Sequence, residues 1–272
     1  MRKFSGYLSI AALLIFVVVD ANTPVPGIAA YGENINAPAS WAQADPDRIV
    51  VATYNIRRSK GEDNERDITR AADVLRDANA DIVGLNELSG TLFYGLADQA
   101  EQIGGMLQAG WLFAPAYQLF YQPHFGNGLV SRFSVSSWQI HPLFAEEDSS
   151  FRNMIVAAIP IGKTTLTTLT TLTTHLDRSA VRDRQLGQVL ARFASLPSPA
   201  VLMGDLNTRA DDETLSAFLE NPVYTDAIFA ALGQPHDVEW IISKGLTVKS
   251  GGSEPPGVSD HPAYWVEFSI DR

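Results

Sequence analysis

Five times in this chain a short apolar run meets an asparagine, glutamate, aspartate or histidine at one of its ends. Ile49 to Ile56 carries Asn55, and Asp81 to Leu88 carries Asn86 and Glu87. The Thr-rich stretch from Thr164 to Thr174 runs into His175 and Asp177, and Val201-Leu202-Met203 runs into Gly204-Asp205-Leu206-Asn207. Ser259-Asp260-His261 stands before the apolar segment Ala263 to Phe268. A carboxylate directly after an apolar strand is costly to desolvate unless it meets a cation or a donor. Strand ends are also where a rigid sheet lets polar side chains converge on a cleft. Singly, each placement has a plain role: Asp205, Asn207 and Gly204 suit a turn, Glu87 or Asp260 a cap, His175 a satisfied half-buried histidine. As a set they point to one shared polar centre.

The segments between them alternate in type, which predicts an α/β fold. Strands are expected at Ile49–Ile56, Asp81–Leu88, from Gly128 to Ser131, Met154–Ile161, Thr164–Thr174, Ala200–Met203, Val238–Ile242 and Ala263–Phe268. Helices are expected at Asp67–Asn79, with Asp67 as N-cap, at Ala97–Leu107 and at Arg182–Leu196. Met154–Ile161 and the Thr-rich run read as a pair, with Ile161-Gly162-Lys163 near the turn. Threonine suits a strand, but the three-residue repeat of KTTLTTLTTLTT does not match a pleat's period of two.

No cysteine occurs among the 272 residues, which excludes disulfides, thiolate metal sites and a cysteine nucleophile. The formal charge is −11, from 20 basic and 31 acidic residues, a balance that leans against a general nucleic-acid binder. At the N-terminus, Arg2 and Lys3 precede an apolar run from Leu8 to Val19, long enough for a signal peptide's core and short of the about twenty residues a membrane span needs. Residues 1–30 are therefore expected to be a signal peptide or N-terminal membrane anchor, with the protein exported to the periplasm or beyond, or held at the membrane. Residues 31–47 are read as a linker and 48–272 as one domain.

In their contents and order, VATYNIR (51–57), DIVGLNEL (81–88), GNGLVSR (126–132), TTHLDR (173–178), VLMGDLNT (201–208) and SDHPAYWVEF (259–268) resemble the endonuclease/exonuclease/phosphatase family. That superfamily includes pancreatic-type deoxyribonucleases, abasic-site endonucleases, inositol polyphosphate phosphatases and bacterial sphingomyelinases. The resemblance spans almost all of Arg48 to Arg272. It implies a four-layer α/β sandwich, two mixed β-sheets packed face to face with helices outside, and a phosphoesterase using Mg²⁺ or Mn²⁺. Two positions depart from the pattern: Asn86 stands where the family usually has Gln, and Glu239 where it has Asp.

Glu87 is the best single metal ligand, since a hard oxygen donor suits Mg²⁺. Asn55 supports that site or ligates it directly, and Asp260 adds a second carboxylate or orients an imidazole. His261 would be general base or electrostatic partner, backed by Glu239. Asp205 would orient or deprotonate the attacking water, and Asn207 would bind a phosphoryl oxygen or align Asp205. The resemblance gives His175 the part of phosphate ligand and general acid, with Asp177 orienting its neighbours. Asn127 and Arg152 are candidate substrate contacts, although Arg152 equally suits an ion pair with Glu146, Glu147 or Asp148. No GxSxG motif is present, which favours direct attack by water over a covalent intermediate. The substrate is expected to be a phosphorylated small molecule, a phospholipid or a nucleic acid, with a phosphodiester favoured and a monomer acting without an obligate protein partner. A phospholipid would call for an exposed apolar hairpin, for which Trp111, Phe113, Tyr117, Phe120, Tyr121 and Phe125 are candidates. Alternatives are a secreted nuclease and a non-catalytic binding member of the family.

Overall fold

The computed structural model describes Val17, Val25–Pro26 and residues 48–90, 97–119, 122–143, 151–161, 167–178 and 180–269. Apart from those first three residues, the expected leader and linker lie outside the described residues. So do Phe120, Tyr121, the Gly162-Lys163 turn and the acidic residues Glu146, Glu147 and Asp148. Among the described residues no helix is long and apolar enough to cross a membrane.

The strands are β1 (Val25–Pro26), β2 (Arg48–Asn55), β3 (Ile82–Ser89), β4 (Gly110–Leu119), β5 (Gln122–Ser131), β6 (Ser137–Leu143), β7 (Arg152–Ile161), β8 (Thr167–His175), β9 (Ala200–Asp205), β10 (Thr225–Asp226), β11 (Glu239–Lys244), β12 (Thr247–Glu254) and β13 (Ala263–Ser269). The helices are α1 (Ile68–Asp77), α2 (Gln99–Leu107), α3 (Arg182–Ser195), α4 (Glu213–Leu219) and α5 (Ala227–Leu232). One sheet runs β1-β4-β5-β3-β2-β13-β12 and the other β10-β11-β9-β8-β7-β6. Each is mixed, because β2–β3 and β8–β9 pair in parallel while their neighbours are antiparallel.

The apolar runs are buried on both faces. Ile49, Val51 and Ile82 of the first sheet meet Ile155, Leu169, Val201, Met203 and Ile241 of the second in a core between the sheets. The alternate residues Val50, Ala52 and Val83 face outward onto Ala71 and Leu75 of α1 and Ala100 and Ile103 of α2. On the far side Leu172 and Leu202 pack with Leu186, Val189 and Phe193 of α3 and Leu215 of α4. This is the four-layer sandwich. It also accounts for the Thr-rich repeat: a period of three on a pleat of two sends successive leucines to opposite faces. Leu169 enters the inter-sheet core and Leu172 the α3 side, both with no exposure. The repeat works because this strand has no wet face.

Trp111, Phe113 and Phe125 are core residues, while Tyr117 is half-buried. They line the sandwich, with Tyr117 stacked on Phe125 at 5.7 Å. Strands β4, β6 and β12 had no clear signature. Pro115 interrupts the apolar pattern of β4 beside a register shift, and β12 (TVKSGGSE) is a largely exposed edge.

Candidate active site

Register brings the polar residues together before any side chain is considered. In the second sheet Asp205 stands between two neighbours, paired with His175 on β8 and with Glu239 on β11. In the first sheet Asn55 and Asn86 are paired across β2 and β3. The two rows face each other. Asn55 Nδ2 donates to Asp205 Oδ2 at 3.0 Å and lies 3.3 Å from Glu87 Oε1. Asn86 completes the bridge, its Oδ1 accepting from the Asp205 N–H at 3.0 Å and its Nδ2 donating to the Thr174 carbonyl.

Local backbone geometry aims these groups. Glu87 sits at a bulge in β3 with φ 56°, and Asn207 has φ 44°. Such conformations are costly for residues with a Cβ and concentrate at functional sites. Gly204, next to Asp205, has φ 142°; a Cβ there would meet the Thr174 carbonyl oxygen at 1.9 Å. Only glycine lets β9 approach β8 this closely.

Asp205 is fully buried and accepts from Asn55 and from the Asn207 N–H at 2.9 Å. Burial raises its carboxyl above the ordinary aspartate range, and the nearby His261 opposes this. Glu239 Oε1 lies 2.9 Å from His261 Nδ1, and its Oε2 accepts from Thr53 Oγ1 at 3.5 Å. Burial first, and the charge of Asp205 second, push Glu239 up to about 7. Burial alone would lower His261, but the bond to Glu239 and the charges of Glu239, Asp205 and Asp260 outweigh it and lift the imidazole to about 9. His175 contrasts with it. Burial, then the positive charge of Arg152, hold it well below the ordinary histidine range, so it is neutral at pH 7. Its Nε2 is 3.2 Å from Asn207 Nδ2 and 3.5 Å from Asp205 Oδ2. Two histidines on either side of one aspartate are thus held in different protonation states, the arrangement acid–base chemistry requires.

The remaining expected residues lie around this core. Asp260 is exposed and pairs with Arg57 at 3.2 Å, while Ser259 Oγ ties the loop to the Asn55 carbonyl at 2.7 Å. Asp177 pairs with Arg152 at 3.4 Å. Asn127 is buried behind the cluster, its Nδ2 donating to Asn153 and its Oδ1 accepting from Asn86 at 2.9 Å. These bonds commit it to stitching the sheets together. Sequence reasoning missed the bridging role of Asn86, although its place beside Glu87 at a strand end was the available signal. It also missed Thr53, Ser259 and Asn153, which carry no motif of their own.

The fit to a divalent ion rests on the donors. Glu87 and Asp260 offer carboxylate oxygens, and Glu87 is partly exposed on a backbone that fixes its direction, while Asn55 braces Glu87 through its Nδ2 with its Oδ1 taken by the Arg57 N–H. That set suits a hard cation. Among the described residues, Asp205, Glu239 and His261 have ligand atoms within 4.8 Å of one another. Their atoms, however, are already bonded to each other, to Asn55 and to the Asn207 N–H. We read that trio as a proton-sharing group.

A sequence model described as "Endonuclease/Exonuclease/phosphatase family" matches residues 52–261. Among solved structures, an endonuclease/exonuclease/phosphatase from Beutenbergia cavernae aligns with a TM-score of 0.64 at 20% identity, covering 82% of this chain and 72% of that one. The human Nocturnin catalytic domain with bound sulfate anion aligns at 0.63 and 17% identity, covering 83% and 95%. A humanized D. rerio TDP2 aligns at 0.59 and 18%, covering 82% and 99%. At these identities the likeness is one of fold. No curated protein matches the chain.

Proposed function

The chain belongs to the endonuclease/exonuclease/phosphatase family, and from that premise we propose that it is a divalent-metal-dependent hydrolase that cleaves a phosphodiester by direct attack of water. The observation that carries this reading is the Asn55–Asp205 bond across the two sheets, with His175 and the Glu239–His261 pair on either side of Asp205. Asp205, kept in place by Asn55 and the Asn207 N–H, orients the attacking water and draws off its proton. His261, held cationic by Glu239, offers a charged N–H to the phosphoryl oxygens. Neutral His175 stands on the opposite side of Asp205 from His261, its Nε2 accepting from Asn207 Nδ2, which fixes the ring. Arg152, steadied by Asp177, adds positive charge at the rim. When held by Glu87 and Asp260, with Asn55 bracing Glu87, Mg²⁺ or Mn²⁺ would neutralise charge on the phosphoryl and leaving oxygens.

Export belongs to the same reading and rests on Arg2, Lys3 and the apolar run from Leu8 to Val19. The acidic chain and the buried Trp111, Phe113 and Phe125 favour a small soluble phosphoester over DNA or a membrane lipid. Purified protein should hydrolyse bis(4-nitrophenyl) phosphate with Mg²⁺ or Mn²⁺, lose that activity in EDTA and recover it when metal is returned. Turnover that persists in EDTA would remove Glu87 from its assigned part.

A further inference from the structure

Immediately after Asn55 the backbone does something no ordinary connection requires. Arg57, Arg58 and Ser59 are all left-handed, with φ of 47°, 54° and 59°, and none is glycine. Three bonds clamp the turn: the Arg57 N–H donates to Asn55 Oδ1 at 3.1 Å, Arg66 Nη1 to the Arg58 carbonyl at 2.9 Å, and Gln99 Nε2 to Ser59 Oγ at 2.8 Å. Consecutive non-glycine residues in this region persist only when their surroundings over-determine them.

What the turn achieves is the placement of arginines. Arg57 reaches Asp260, and the Arg58 guanidinium lies over the Phe125 ring, 5.0 Å from its centroid. The same ring carries the guanidinium of Arg152 at 5.6 Å and stands 6.4 Å from the His175 imidazole. Arg152 is partly balanced by Asp177, whereas the Arg58 guanidinium has no carboxylate partner among the described residues. Two guanidiniums thus converge on one aromatic ring beside the site, in a chain of net charge −11. A planar fork of donors matches phosphate oxygens.

We propose that Arg58 and Arg152, seated on Phe125, form a second anion subsite, so that the preferred substrate carries another phosphate group beside the scissile one. This rests on the reading that the Asp205 centre binds a phosphoryl group, and it adds the substrate's second charge. Arg58 is then a specificity-determining residue, and the left-handed turn is the device that delivers it.

The test is calorimetric titration of the whole protein with inorganic pyrophosphate and with orthophosphate at a fixed free Mg²⁺ concentration. Wild type should prefer pyrophosphate by about tenfold, the scale of one charge-assisted hydrogen bond. Arg58→Gln and Arg58→Gly should lose that preference, and Arg58→Lys should retain part of it. Arg58→Gly adopts the left-handed turn without strain, so its thermal midpoint separates lost binding from lost folding. Equal affinity of the wild type for both anions, or an undiminished preference in Arg58→Gln, overturns the subsite. Hydrolysis of bis(4-nitrophenyl) phosphate by the same preparation keeps the two ideas apart. Its absence alongside an intact anion preference would sink the phosphoesterase reading and leave the subsite standing.

Discussion

Glu239 is one methylene longer than the aspartate expected from the family pattern, and the structure uses the extra length. Its Oε1 meets His261 Nδ1 at 2.9 Å while β11 stays in register with Asp205. Glu239→Asp would draw the carboxylate back by roughly 1.5 Å, one carbon–carbon bond, and break that contact. Glu239→Gln keeps the length and removes the charge. Both should lower kcat by about 10²-fold or more, within the range of acid–base contributions, with little change in KM. Steady-state kinetics on a phosphodiester checks this, and an unchanged kcat in both variants removes Glu239 from the catalytic group. The carboxylates and imidazoles of this cluster were legible from residue type and position. The strained backbone at Glu87 and Arg57–Ser59 was not, because nothing in a glutamate or an arginine announces a left-handed conformation.

At the scale of the element, the buried strands were readable because runs such as Ile49–Ile56 have no polar face to obscure them. Strands β6 and β12 lie at sheet edges and carry polar residues, so no hydrophobic period marks them. The Thr-rich strand was placed correctly, but its odd spacing made sense only once both faces proved covered. Leu172→Ala should therefore cost about 2–5 kcal/mol, as a cavity between β8 and α3. Chemical denaturation measures this, and a loss under about 1 kcal/mol would mean that the α3 face can collapse around the change. Helix α2 makes a pH-dependent case. Its N-cap Asp98 accepts from the Glu101 N–H at 2.9 Å, and burial pushes its carboxyl up to about 6. The folded state thus holds this proton more tightly than the unfolded state, whose carboxyl keeps the ordinary aspartate value of 3.8. The resulting destabilisation is absent below the unfolded value, grows as pH rises and is complete above about 6. Asparagine caps equally well, so Asp98→Asn should stabilise the fold by on the order of 1–3 kcal/mol at pH 7.5 and hardly at all at pH 4. Melting temperatures at the two pH values decide it, and an equal shift at both would contradict the burial effect.

Across the whole molecule, the site exists only because two sheets meet. Asn55 reaches Asp205, Asn86 reaches the backbone of β8 and β9, and Asn127 reaches Asn153. Every one of these bonds joins the first sheet to the second. The chain order of the motifs implied a common centre, but partners so distant in sequence leave no local trace of who bonds whom. Buried polar stitching of this kind is stable only when each member is satisfied. The chemistry and the fold therefore stand on the same residues, with Asp205 at their centre. The most direct test is the rate of bis(4-nitrophenyl) phosphate hydrolysis with Mg²⁺ by Asp205→Asn, a nearly isosteric change, beside wild type. A fall of about 10²–10⁴-fold with an unchanged circular dichroism spectrum is the expected result. Near-wild-type turnover in that folded variant would contradict the assignment of the site.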